Sequence, residues 1–371
     1  MKKILFVMSV LVMMVVVGCS SPNTDSPKEE KKPETPAAYS AGDSARANIT
    51  FDGVTYSKTG EVYVTGPSGA TITGAAYTNS YPGVFIEGRN VTLSPYIMGK
   101  YEVTQQLYTA VMANQTVTVG ENEYTLAASP FFCTETGTYP KAATDTQNLR
   151  PAEGFTWFDA VYFCNKLSEK MSLTPAYNII ITTIDATVNG HITAATVTLV
   201  SNANGYRLPT EAEWEFAARG GNPSVAAWNY TFSGAATAEG IAYTAQKNNG
   251  LDNVGWYQYN LGGGATNATP LSSGVAGYGT HEVGTKAENS LHIFDMSGNV
   301  WEWCYDWKGN IGTGNETNPT GAVSGTVRMY KGGCWGNPAE MCTVVYRRHL
   351  CSYTPIDKDN CMGFRVVRNV N

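Results

Sequence analysis

The sequence predicts an α+β domain of short strands and two main helices joined by long loops, and three observations carry that prediction. Rings and glycine are plentiful while charge is sparse: 22 Tyr, 8 Trp and 38 Gly stand in 371 residues, of which only 15% are charged. Such a composition suits an irregular, aromatic-cored exported domain better than a helical enzyme. Apolar and polar residues alternate only in short runs broken by Gly, Pro and Asn, the mark of small sheets. Two stretches at helical spacing carry their own start signals. Residues 49–371 are numerous enough to bury a sizeable core.

The N-terminus comes first in the chain. Lys2 and Lys3 precede an apolar run from Ile4 to Val17 that ends Val16-Val17-Gly18-Cys19. That run is short for a bilayer span, and a small residue directly before a cysteine predicts a lipoprotein signal peptide over residues 1–18. Cys19 would then carry acyl chains that hold the protein at a membrane, at the outer membrane or cell surface. Residues 19–48 are rich in Pro, Ser, Glu and Lys and too poor in apolar surface to fold, so they read as a disordered tether.

Loss of Lys2 and Lys3 takes the formal net charge from −6 to −8, which makes nucleic acid an unexpected partner. Beyond Cys19, the other cysteines lack paired Cys-x-x-Cys spacing, so neither a zinc site nor a dense disulfide framework is signalled. An isolated disulfide suits an exported chain, with its partners left open.

From residue 49 to 104 the runs ITFDGVTY, EVYVTG and VFIEGRNVTLSPYIMGKYEVT predict the opening sheet. Thr104 is placed to cap a short helix, QQLYTAVMAN, after which the chain to Pro151 reads mostly as loop. Thr156 and Asp159 start the second helix, WFDAVYFCNKLSEKM, and Thr210 and Glu213 form an S/T-x-x-E box before the third, which stops at Gly220-Gly221. Between those helices, NIIITTIDATVNGHITAATVTLV predicts a hairpin turning at Asn189-Gly190, with His191 a solvated loop residue. Residues 222–286 read as long loops pinned by Trp228, Tyr230, Phe232, Trp256, Tyr257 and Tyr259.

Six pieces recur in one order: MGKYEVT, RPAEGFTWFDAVYFCNKL, YRLPTEAEWEFAARGG, DMSGNVWEW, KGGCW and GFRVVR. On these the sequence resembles the formylglycine-generating-enzyme (sulfatase-modifying factor) domain, a variant of the C-type lectin fold. The resemblance implies that fold over residues 49–371, with Trp214, Trp301, Trp303 and Trp335 as packing residues. It also implies calcium at Asp295, Gly298, Val300 and Glu302, a set of hard oxygens around a tight turn. Enzymes of the family hold copper with two thiolates spaced Cys-x-x-x-x-Cys, soft ligands for Cu(I). Here the second falls on Cys342, but Asn337 stands at the first. No copper and no catalysis are therefore expected.

The terminal stretch from Arg328 to Arg368 mixes a frame of Gly332, Gly333, Trp335, Arg347, Pro355, Gly363, Phe364 and Arg365 with filler that has no hydrophobic period. This contrast resembles the variable region of diversity-generating-retroelement proteins, in which adenine-directed copying errors turn Asn codons into many other residues. Products within reach of such codons are Gly336, Asn337, Pro338, Tyr346, Arg348, His349, Leu350, Cys351, Tyr353, Ile356, Asp357, Asp359, Asn360 and Cys361, while Glu340, Met341, Lys358 and Met362 lie outside that route. Cys334 follows from one change in a Ser codon. Tyr and Arg are favoured at interface hot spots, so the filler predicts a binding surface for a protein or glycan ligand. The expectation is a monomeric, tethered ligand binder. Its rivals are a secreted copper oxidase and a calcium-dependent carbohydrate binder, the latter lacking a Glu-Pro-Asn-type loop.

Overall fold

The computed structural model describes residues 39–65, 72–73, 83–186, 190–237, 247–262, 270–347 and 353–370. The signal peptide with Cys19, the tether up to residue 38, and Arg348, His349, Leu350 and Cys351 lie outside the described residues.

Strands β1 (Ser44–Arg46), β2 (Glu61–Val64) and β3 (Tyr96–Gly99) open a sheet by antiparallel pairing. Helix α1 (Gln105–Met112) follows, its N-terminus capped by the Thr104 hydroxyl, which accepts from the Leu107 N–H. Helix α2 (Trp157–Lys170) and, further on, α3 (Glu211–Ala218) each begin with a complete capping box. In the first, Thr156 Oγ1 accepts from Asp159 N and Asp159 Oδ2 accepts from Thr156 N; Thr210 and Glu213 repeat the arrangement. Between these helices run the hairpin strands β4 (Tyr177–Asp185) and β5 (His191–Leu199), then the short β6 (Tyr206–Arg207).

Strand β7 (Trp301–Trp307) pairs antiparallel with β8 (Arg328–Lys331) and parallel with β9 (Met362–Gly363), and β10 (Val367–Asn369) returns to the first sheet. That sheet has the order β1-β2-β3-β10-β6, all antiparallel. The last strand to be made thus sits beside β3 in the interior of the sheet. One core cluster joins α1 and α2 to Trp301, Trp303 and Phe364; a second joins α3 to the five-stranded sheet; a third, with Phe232, Leu251 and Tyr257, closes over Cys342. The aromatic loop residues Trp228, Phe232, Trp256, Tyr257 and Tyr259 are all buried, as the composition implies.

Two expectations are corrected. The stretch after α1 contains a hairpin, Thr116–Val119 with Asn122–Thr125, rather than loop alone. His191 is not solvated: it is 4% exposed at the start of β5, with Nδ1 2.7 Å from Asp159 Oδ2. Asp159 thereby caps α2 and receives the hairpin, whose Ile192 N–H also donates to its Oδ1.

Candidate ligand-binding face

Residues 328–370 hold their frame by chemistry that only those side chains supply. Gly332 and Gly333 both have positive φ, and a Cβ on Gly333 would lie 2.6 Å from Cys342 Sγ, so the turn after β8 admits no larger residue. Trp335 follows, its N–H donating to Asn299 O and its Nε1 to Asn360 O, which fastens the turn to both neighbouring segments. Arg365, fully buried, grips Glu302 through two bonds of 2.6 Å and donates to the carbonyls of Gly99 and Phe294. Trp214 Nε1 completes the knot by donating to Glu302 Oε2. Burial without such pairing would cost several kcal/mol for each charge, on the order of the whole fold's margin.

The filler divides. Gly336, Asn337 and Pro338 form a half-buried turn in which Asn337 Oδ1 accepts from Cys334 N. Beyond the undescribed residues, Tyr353 donates to Asp359 Oδ2 at 2.6 Å, Asp357 Oδ2 accepts from both N and Oγ1 of Thr354, and Asp359 Oδ1 accepts from Cys361 N. Ile356 projects at 47% exposure, and Asn360 and Cys361 are half-buried. Pro355 and Asp359 carbonyls accept from Trp157 and Gly154, so this segment rides on the start of α2. Tyr346 is the exception. It is 2% exposed with its ring 5.8 Å from Trp301, and its carbonyl accepts from buried Lys331. We therefore remove it from the predicted binding surface: Tyr346 belongs to the core.

Two residues that the sequence reading passed over stand on this face. Tyr139 and Tyr278, both half-buried, stack on each other at 5.9 Å and meet Trp335 edge-on at 5.6 and 5.0 Å. Burial raises the Tyr139 phenol, with Asp359 and Cys361 close enough to add to the shift. Phe132, 48% exposed, lies nearby against Gly154. Its loop is held by Glu153, whose two oxygens accept from the N–H groups of Phe132 and Cys133 and whose carboxyl burial pushes up to about 7. Aromatic faces at a segment edge with flanking carboxylates can take up a partner by stacking and hydrogen bonding. Nothing local in the sequence links residues 139 and 278 to residue 335.

At the expected calcium position, Asp295 is 1% exposed with Oδ2 accepting from Gly284 N and Oδ1 buried without a partner; burial raises its carboxyl to about 6. Val300 N and Asn299 Nδ2 donate to Glu102. Glu302, the other carboxylate of the expected set, accepts three N–H bonds from Arg365 and Trp214. Among the described residues, no group of three or more His, Cys, Asp or Glu side chains is arranged to hold a metal ion.

The family model of the sulfatase-modifying factor enzyme 1-like domain matches residues 52–370. The chain belongs to that family. A chaperone protein LppX from Paenibacillus barcinonensis is 36% identical over 265 residues, 70% of this chain and 75% of the relative. A formylglycine-generating enzyme from Thermomonospora curvata is 35% identical over 136 residues, covering 35% of this chain and 38% of the enzyme. Among solved structures, Treponema denticola variable protein 1 superposes with a TM-score of 0.59 at 30% identity, over 87% of this chain and 98% of that one. The fold is thus the formylglycine-generating-enzyme variant of the C-type lectin architecture. In this sulfatase-modifying factor enzyme 1-like domain Cys342 is fully buried in the third core cluster, and burial raises its thiol. Asn337, five residues before Cys342, is engaged in the turn with Cys334.

Proposed function

We propose that this protein is a membrane-tethered binder whose C-terminal segment, diversified by a retroelement, recognises a macromolecular partner without carrying out a reaction. One observation supports it most. The positions within reach of mutated Asn codons are, Tyr346 apart, at least partly exposed where described, whereas the frame residues, half-buried Arg347 apart, make the buried contacts of the fold. The likeness to a treponeme variable protein points the same way. Tyr139 and Tyr278 supply a constant aromatic floor beside the variable residues, and large flat rings give contact area at small entropic cost. Calcium, on this reading, enters only by displacing Arg365 from Glu302, and copper has one thiol where its linear site needs two.

The adjoining DNA tests the proposal. A non-coding near-copy of the codons for residues 328–368, differing chiefly at adenines and followed by a reverse transcriptase gene, is the expected finding. A closed genome without any such repeat would reduce the segment to an ordinary loop. Independently, stoichiometric Cu(I) binding that is lost in Cys342→Ala would restore the oxidase.

A further inference from the structure

Cys334 and Cys361 lie at the two ends of the diversified segment, and the fold brings them together. Trp335 Nε1 donates to Asn360 O at 3.1 Å, which joins their immediate chain neighbours. Both thiols border Gly336, where an added Cβ would be 3.9 Å from Cys334 Sγ and 3.6 Å from Cys361 Sγ. Each thiol is near enough to the other to shift its ionisation. Cys334 is 1% exposed and Cys361 half-buried, so a reagent reaches the pair from the Cys361 side. Two other thiols are close but directed elsewhere. Cys342 Sγ faces the carbonyls of Cys334 and Pro338 at 4.0 and 3.8 Å, and Cys133 Sγ faces Asn360 O at 3.7 Å.

We propose that Cys334 and Cys361 form a disulfide that closes residues 335–360 into a covalent loop. The staple holds the two ends of this copy of the segment, since Cys361 is itself one of the diversified positions, and a cross-link over a long loop restricts the unfolded chain most. In the bond-forming step, Cys361 thiolate attacks a disulfide donor of the thiol–disulfide oxidase or oxidised-glutathione class and expels one donor thiol. Cys334 thiolate then attacks the mixed disulfide and expels the other. The pair gives up two electrons and two protons, and the donor disulfide leaves as two thiols. Burial raises both thiols, with Asp359 adding to the shift, and that opposes thiolate attack in the finished fold.

The natural setting for this chemistry is the exported location of the proposed function, but the test supplies its own oxidant. Failure would thus count against the staple and leave the binding reading standing. The full mature chain is refolded with oxidised and reduced glutathione, alkylated, and digested with trypsin without reduction. Peptide 332–347 is expected joined to peptide 359–365, with the link kept in Cys342→Ser and lost in Cys334→Ser. Reduction should lower the Tm of the wild type by about 5 °C and leave Cys361→Ser unmoved. Full alkylation of Cys334 and Cys361 in the wild type, or a link through Cys133, Cys342 or Cys351, would overturn the inference. Fragmentation of the linked peptides in the unsubstituted chain assigns the bond to Cys334 or to Cys342, which share peptide 332–347, so a variant that fails to fold does not blunt the test.

Discussion

Glu302 is the residue on which the terminal segment depends. Its carboxylate joins β7 to Arg365 from the last turn of the chain and to Trp214 of α3, all three side chains being fully buried. Glu302→Gln removes the charge but leaves the guanidinium in place, so we expect a loss of about 3–5 kcal/mol in urea unfolding. A variant within about 1 kcal/mol of wild type would show that Arg365 finds another acceptor. Because Arg365 already neutralises Glu302, chelation should matter little: adding EDTA is expected to move the Tm by less than about 2 °C, and a larger fall would place calcium in the fold. Tyr346 and Ile356 separate core from surface within the filler. Tyr346→Ala should cost about 3 kcal/mol, whereas Ile356→Ala should stay within about 0.5 kcal/mol. Equal effects would mean that the division drawn at Tyr346 is misplaced.

Helix starts were legible in the sequence because capping is local chemistry, complete within four residues. Thr156 and Thr210 head two boxes of the same type, yet their surroundings differ. The Thr156 hydroxyl also donates to Ile192 O of β5, while the Thr210 box is reinforced by Arg207, which contacts both Glu213 oxygens at 2.7 Å. Thr210→Ala should therefore cost about 1 kcal/mol and Thr156→Ala about 2 kcal/mol, since the latter loses a cap and a hairpin anchor together. The reverse order in thermal unfolding would deny the anchor. What the sequence concealed has the opposite character. His191 is buried because Asp159, remote in the chain, receives it; Tyr346 is buried because Trp301 does. The face formed by Tyr139, Tyr278 and Trp335 draws on three loops, and no periodicity connects them. The hairpin after α1 was hidden by its polar strands and by turn residues on both sides.

Across the whole molecule, buried carboxyls set how stability responds to pH. Burial raises Asp306 from its ordinary 3.8 to about 8, with Glu211 and Glu213 of α3 adding to the shift, while the Glu211 N–H bond to Asp306 Oδ2 opposes it. Glu153 rises to about 7 and Asp295 to about 6, again chiefly by burial. In each case the folded state binds a proton more tightly than the unfolded chain. The resulting stabilisation is fully present below the unfolded value and is lost as pH rises through the folded one. Asp306 titrates above Glu153 and Asp295, and burial also raises Glu102 well above the usual carboxylate range, so the Tm should rise as pH is lowered from about 9 to about 6, opposite to a protein held by exposed carboxylate pairs. Asp306→Asn keeps an oxygen for the Glu211 N–H and cannot ionise. Its Tm should equal or exceed that of the wild type near pH 9, and the slope across that range should flatten. An unchanged slope in this variant would assign the dependence to the other raised carboxyls, Glu102 and Glu153, which Glu102→Gln and Glu153→Gln then test separately.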